Sequence, residues 1–529
     1  MTILHKRWFY ALWLVFIGGF ALLHALHLSA DFPNHSPWFH DWAKYTDEGW
    51  YGNAAIRAHL FGHWYIPGDF TPSPALPVWP FLEWVLFFFT GVSIQAARGL
   101  TVAIFFVNLL LSYLLLKDRG PRWMGLLALT LIVTSPFLYC FSRLAILEPL
   151  VIALTLVAIN LAIRLPKLRW PVAASVAIGL LCALMMLTKT TALFLVPSVL
   201  WAMLLSLWNR RPLAARCIVS AMGAFAVLYS LWLGIVIRMG HFADYKYIFI
   251  VNSHTSPAGF YQWLLSFWWS FHAGLWVDHI LIPLTGLVFL VALIAGIVFV
   301  RRNPEARGLL LSPVYGAAIL AVAGYILFMI SQNYPQQRYF AVVAFFCFIA
   351  LAQGAAALVG IAGRLRWLGW SVVALAALTA GFNAFQTLNY AVHPEYTFVD
   401  ATRELTHYID AHPNGNRLLV SISGDEITLI THLPTLCDDF GTQDLADKMA
   451  RYQPGWYAAW NDLDPGTLED IHTHFSLEEV ARFHAFDDAD RNLLVLFKLH
   501  PLSVSAVRDP DRQKLQMPLP DDKIEVPMQ

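Results

Sequence analysis

Long apolar runs separated by short polar loops occupy the first three quarters of the chain. The first, WFYALWLVFIGGFALLHALHL at 8–28, follows the basic HKR of 5–7. It has the length of a membrane span and no small-residue cleavage site after it, which predicts an uncleaved first helix. Similar runs recur near 99–116, 123–140, 147–163, 171–187, 191–208, 213–237, 279–300, 308–330, 339–360 and 368–388. Because about 20 apolar residues cross the hydrocarbon layer, the pattern predicts a mainly α fold, a polytopic bundle of about 11 transmembrane helices. The stretch PALPVWPFLEWVLFFFTG at 74–91 is apolar but short, and carries Pro80 and Glu83. It reads as a re-entrant or interfacial helix.

After residue 390 the pattern changes. Short apolar strands such as RLLVSIS alternate with polar helical stretches such as TQDLADKMARY, which predicts an α/β domain over 391–502 with a partly parallel sheet. Residues 503–529 are rich in Pro, Asp and Lys and are expected to form a disordered tail. No repeat of fixed period divides the chain, which excludes solenoid and propeller architectures.

Composition sharpens this reading. Hydrophobic residues make up 58% of the chain and charged ones 13%, far from a soluble globular mixture. A formal net charge of zero argues against nucleic acid as a partner. Basic residues gather in KDRGPR (117–122), RLPKLR (164–169), NRRPLAAR (209–216), RRNPEAR (301–307) and GRLR (363–366), which fall on one side of an alternating bundle. The positive-inside rule puts these loops and the N-terminus in the cytoplasm, in an inner membrane of bacterial type, with the C-terminal domain extracytoplasmic. Four of the five cysteines, Cys140, Cys182, Cys217 and Cys347, lie in apolar runs and Cys437 alone in a polar region, so no disulfide or CxxC framework is expected.

The candidate chemistry lies in the outer loops. YTDEGWYGNAAIRA (45–58) sets Asp47 and Glu48 side by side in the large first outer loop, 29–98. Such a pair also suits a solvated loop or the first turn of a helix, where acids complement the dipole. Arg143 and Glu148 in SRLAILEPL, Lys189 in LTKTTALF and Arg338 in QQRYF add charges at other outer helix ends, where ionisable groups are costly and tend to be paired or functional. Together they predict a polar site of carboxylates and cations on one face. A carboxylate there can take a proton from a hydroxyl, and Arg143, Lys189 and Arg338 can hold a phosphate. Asp47 is the candidate base, with Glu48 or Glu148 orienting an acceptor. Asp47 and Glu148 are also the candidates to hold a divalent cation, Mg2+ or Mn2+. The loop 238–278, with Lys246, His254 and many aromatics, is a candidate cover for the site or an interfacial aromatic belt.

The order DE-x-x-Y, an Arg six residues on, GHWYIPGDFTPSPALPVW, a short apolar helix and QAARGLTV resembles the first outer loop of the C-type membrane glycosyltransferases. The particular relatives are the protein O-mannosyltransferases and lipid A aminoarabinose transferase. SRLAILEPL, LTKTTALFLVP and QQRYF match in the same order, and the resemblance covers roughly residues 1–390. It implies a transmembrane glycosyltransferase domain over 1–390 that moves a sugar from a polyprenyl-phosphate carrier to a lipid, glycan or protein acceptor, among membrane lipids. It also implies catalytic roles for Asp47, Glu48 and Glu148, and substrate contacts for Tyr51, Arg57 and Tyr339. The chain departs from the aminoarabinose-transferase pattern at Trp50 and at Ser73–Pro74. The alternative from another class is a lipid or solute transporter or flippase, which predicts charges near the bilayer midplane and inverted repeats.

Overall fold

The computed structural model describes residues 3–38, 41–251, 259–299, 304–332, 336–361, 364–438, 440–488 and 491–502. His254 and the expected tail at 503–529 lie outside the described residues. Helical segments stand at all eleven expected spans: Ile3–Leu23, Ile94–Leu116, Arg122–Thr134 continued by Pro136–Phe141, Glu148–Ala162, Pro171–Thr188, Val196–Ser206, Arg211–Arg238, Leu281–Phe299, Pro313–Gln332, Phe340–Gly360 and Arg364–Val392. Six helices among the described residues are long and apolar enough to cross a membrane unaided. The others are shorter apolar helices, several ending in the loops that carry Asp47, Glu148, Lys189 and Arg338.

Prolines set several helix starts. Pro136, Pro149, Pro171, Pro197 and Pro212 each occupy the first turn, where the missing N–H costs nothing. Phe340–Gly360 is apolar on every side and lacks a lipid-facing stripe, so it forms the bundle's centre. The helices Pro313–Gln332, Leu281–Phe299 and Arg364–Val392 pack around it. Arg211–Arg238 is the opposite case, presenting most of its apolar length outward while it packs along Pro171–Thr188. That contact depends on Gly179: a Cβ there would stand 2.0 Å from the Ala221 carbonyl oxygen. Such small-residue contacts let helix backbones approach inside a membrane.

Two helices lie in the first long loop, 29–98. Asp47–Phe61 and Val78–Thr90 pack on one another, and the second, with 13 residues, is only about 20 Å long. It is too short to span, and its exposed Phe81, Phe88 and Phe89 suit an interfacial position.

The C-terminal region follows the helix Thr397–Ala411. Its strands are β1 (Leu419–Val420), β2 (Thr435–Leu436), β3 (Trp456–Trp460), β4 (Phe475–His484) and β5 (Leu493–Pro501), in the order β2-β1-β3-β5-β4. β1 is parallel to both β2 and β3, whereas β5 runs antiparallel to β3 and β4. Side chains alternate as the strand period requires. Leu419, Trp456, Ala458 and Leu496 pack with Phe398, Leu405 and Ile409, while Val420, Leu436 and Tyr457 pack with Met449, Tyr452 and Ile471. The helix Gly424–Thr431, joining β1 to β2, lies on Asp47–Phe61 and brings this region against the end of the bundle that carries Asp47.

Candidate active site

The acidic pair opens a helix. Asp47 and Glu48 are the first two residues of Asp47–Phe61, where unsatisfied N–H groups favour negative charge, and both are buried. A helical residue turns about 100° from the last, so Asp47 and Tyr51 share one face, Glu48 points to a second, and Gly49, Asn53 and Arg57 line a third. Each face meets a different set of charges.

On the first face Asp47 Oδ2 lies 3.0 Å from Arg338 Nε. Arg338 Nη1 stands 2.8 Å from Asp41 Oδ1, and the Arg338 backbone N–H donates to Asp41 Oδ2 at 2.7 Å. Asp41 caps the short turn Trp42–Lys44, so the segment leading into the Asp47–Phe61 helix is tied to the start of the Phe340–Gly360 helix. Lys189, between two apolar helices, donates to Glu148 Oε1 at 2.5 Å, with Glu148 at the first position of its own helix. The Lys189 ammonium stands 4.7 Å from the Tyr339 ring centre and 5.7 Å from that of Tyr51. Three carboxylates thus face two cations in a buried cluster. Burial pushes the Asp47 carboxyl above its ordinary range, opposed by Arg338 and reinforced by Asp41. Burial pushes the Lys189 ammonium down, opposed by Glu148. The arrangement offers a carboxylate disposed to accept a proton beside cations able to meet an anion.

Glu48 faces elsewhere. Its carboxylate takes a forked pair from Arg98 at 2.7 and 2.6 Å and the Ala145 N–H at 2.7 Å. Arg98 also donates to the Leu28 and Ala30 carbonyls, so this bidentate pair joins three loops. Arg57 is likewise held by carboxylates: Nη2 donates to Asp69 at 2.6 Å and to Asp425 at 2.9 Å, and Lys448 approaches Asp69 at 3.4 Å. Arg143 is half-buried and donates to the Tyr139 hydroxyl and the Leu26 and His27 carbonyls. Lys246 is exposed at the end of Phe242–Lys246, near the Phe242 ring.

The structure therefore gathers Asp47, Tyr51, Glu148, Lys189, Arg338 and Tyr339 in one cluster and sets Glu48, Arg57, Arg143 and Lys246 outside it. Sequence reasoning missed Asp41, Arg98, Asp69, Asp425 and Lys448. Arg98 had a signal, a lone charge entering an apolar span. Asp425 and Lys448 had none, since the opposite charges they meet, Arg57 and Asp69, lie more than 360 residues away. Among the described residues no three His, Cys, Asp or Glu side chains converge where a metal ion could sit.

No family model matches the chain, and no curated protein matches it in sequence. Its fold does have solved counterparts. The structure of ArnT from Cupriavidus metallidurans bound to undecaprenyl phosphate is 15% identical, with a TM-score of 0.53 over 92% of this chain and 98% of that one. The apo state of the same protein gives 14% identity and a TM-score of 0.50 over the same shares. The archaeal oligosaccharyltransferase AglB from Archaeoglobus fulgidus, in complex with an inhibitory peptide and a dolichol-phosphate, is 13% identical over 87% of this chain and 70% of that one, with a TM-score of 0.48. The chain shares the fold of ArnT over 92% of its length.

Proposed function

We propose that this protein is a membrane glycosyltransferase that moves a sugar from a polyprenyl-phosphate carrier to an acceptor hydroxyl at the extracytoplasmic face, with Asp47 as the base. The observation that carries the reading is the buried cluster of Asp47 with Arg338 and of Glu148 with Lys189, built from four separate loops. It lies on a fold shared with an enzyme whose structure holds undecaprenyl phosphate. All four groups stand at helix ends, in keeping with chemistry at the headgroup level and not with a transport path through the midplane.

In this reading Asp47 takes the proton of the acceptor hydroxyl as that oxygen attacks the anomeric carbon. The bond from the anomeric carbon to the carrier's phosphate oxygen breaks, and its electron pair leaves with the polyprenyl phosphate. Lys189 and Arg338 meet the charge that develops there. Lys189 has three N–H donors and gives one to Glu148, so it can reach a phosphate without leaving its partner. Tyr51 and Tyr339 flank the ammonium and offer aromatic faces to the sugar. A Mg2+ or Mn2+ ion at Asp47 and Glu148 would find Glu148 Oε2 buried without a hydrogen-bond partner among the described residues, but would share the two carboxylates with Arg338 and Lys189, and the roles are assigned to the chain's own residues. In this reading, which the basic loops support, the N-terminus lies in the cytoplasm of an inner membrane and residues 391–502 form an extracytoplasmic domain beside the bundle of 1–390.

The test is transfer by purified protein in nanodiscs, supplied with radiolabelled sugars on undecaprenyl phosphate and a panel of lipid, glycan and peptide acceptors. The reading predicts that label moves to at least one acceptor class and that undecaprenyl phosphate binds saturably. Absence of both would contradict it.

A further inference from the structure

The helix that carries Asp47 lacks a cap of its own. Thr46 stands at the N-cap position, yet its hydroxyl bonds to Trp42 and Asp47 and not to an amide of the first turn. The Gly49 N–H, one of the orphan donors of that turn, is met instead by Glu426 Oε2 at 2.8 Å, a carboxylate 377 residues further along the chain. The approach needs the glycine: a Cβ on residue 49 would lie 2.2 Å from the Asp425 carbonyl carbon and the Glu426 nitrogen. On the same face, one and two turns on, the Asn53 amide donates to Asp425 Oδ2 at 3.1 Å and Arg57 Nη2 to Asp425 Oδ1 at 2.9 Å.

We infer that Asp425 and Glu426 are positioning residues for Asp47, so that the C-terminal domain completes the active site by capping and clamping the catalytic helix. The inference rests on the reading of Asp47 as base. Three observations converge on it independently: the cap supplied in trans, the backbone approach that admits no side chain, and the two polar contacts that follow at helical spacing. The geometry also separates the tasks. Gly49, Asn53 and Arg57 dock the helix, and the face bearing Asp47 and Tyr51 remains turned to Arg338 and Lys189. Releasing Glu426 leaves the first turn uncapped and lets its opening residues, Asp47 included, rotate away from Arg338. Asp425 and Glu426 touch no reacting atom in this account. They act through the helix.

The experiment uses the full chain in nanodiscs with a labelled donor on undecaprenyl phosphate and an acceptor chosen by the transfer test, and compares wild type with Asp47→Asn, Glu426→Gln and Glu426→Leu. Hydrogen exchange of the 47–61 amides is followed alongside kcat and KM. Gln keeps an oxygen for the Gly49 N–H and is expected to stay within about threefold of wild type. Leu is expected to lower kcat roughly 10- to 100-fold with KM little changed, and to raise exchange in the first turn, as a misplacement of about 1 Å would do. Equal kcat for folded Glu426→Leu and wild type, with Asp47→Asn inactive, would overturn the positioning role and leave the base intact. Full activity of Asp47→Asn would instead overturn the reading on which it rests. A loss for Glu426→Gln as large as for Leu would also contradict a cap, because the acceptor oxygen survives in Gln.

Discussion

Substituting Arg57 by Met removes one cation from a buried group of two carboxylates and two cations. Arg57 bonds Asp69 at 2.6 Å and Asp425 at 2.9 Å, and Lys448 lies 3.4 Å from Asp69. All four side chains are 3% exposed or less, so water cannot replace the missing guanidinium. Breaking a buried pair by deleting one member costs about 3–5 kcal/mol, because the stranded charge stays desolvated. That corresponds to roughly two to three and a half decades in an opening equilibrium. Asp425 adds a pH dependence. Burial raises its carboxyl to about 6 in the folded protein, even against the pull of Arg57, so the folded state binds this proton more tightly than the unfolded chain. Its contribution to stability is therefore fully present below the ordinary carboxylate range and lost as pH rises through about 6. Without Arg57 the carboxyl rises further and the loss extends to higher pH. Hydrogen exchange of the 424–431 amides reads the opening directly. Arg57→Met should speed it by roughly two to three decades at pH 8 and by clearly less at pH 5. An effect below tenfold at pH 8, or the same at both pH values, would refute the buried-charge argument.

Three further outcomes follow from the packing. Lys189→Met should destabilise the chain by about 3–5 kcal/mol, and the double variant with Glu148→Leu should recover most of this, since an apolar pair replaces an ion pair at little cost; thermal midpoints in one detergent measure both, and a double variant no better than the single would count against the pairing. Glu83 is fully buried with no cation paired to it and only the Trp79 indole offered to its carboxyl among the described residues, so Glu83→Leu is expected to leave the midpoint unchanged or raise it. A fall of several degrees would reveal a partner. Gly179→Val forces a side chain into the Ala221 carbonyl and should cost at the upper end of roughly 1–3 kcal/mol, seen as a lower midpoint and less monodisperse protein; an unchanged midpoint would contradict the tight helix contact.

Most of the bundle was legible because membrane spans are written in runs of apolar residues, which need no tertiary information to be seen. The short helix Val78–Thr90 was legible for the same reason: its length and its Pro80 and Glu83 set it apart from the spans. The convergence of Asp47, Glu148, Lys189 and Arg338 followed from topology, which brings alternate loops to one side. What periodicity does not encode is pairing. Glu48 sits next to Asp47 in sequence, yet one helical step turns it through about 100° toward Arg98. Arg57 looked free to bind substrate because nothing near it in the chain announces Asp425, which arrives from the C-terminal domain. The glycine in DEG carried the missing signal. Its lack of a side chain records where another backbone lies, a meaning that appears only when both segments are seen together.

The central claim is that Asp47 accepts the acceptor's proton, and single-turnover transfer by wild type and Asp47→Asn across a pH series tests it most directly. Burial raises the Asp47 carboxyl, so the wild-type rate should climb with pH along a limb lying above the ordinary carboxylate range. Asp47→Asn, isosteric and with Arg338 still in place, should lose roughly 10²- to 10⁴-fold and the limb with it. Transfer at the wild-type rate by Asp47→Asn, or the same pH limb in both proteins, would contradict the account.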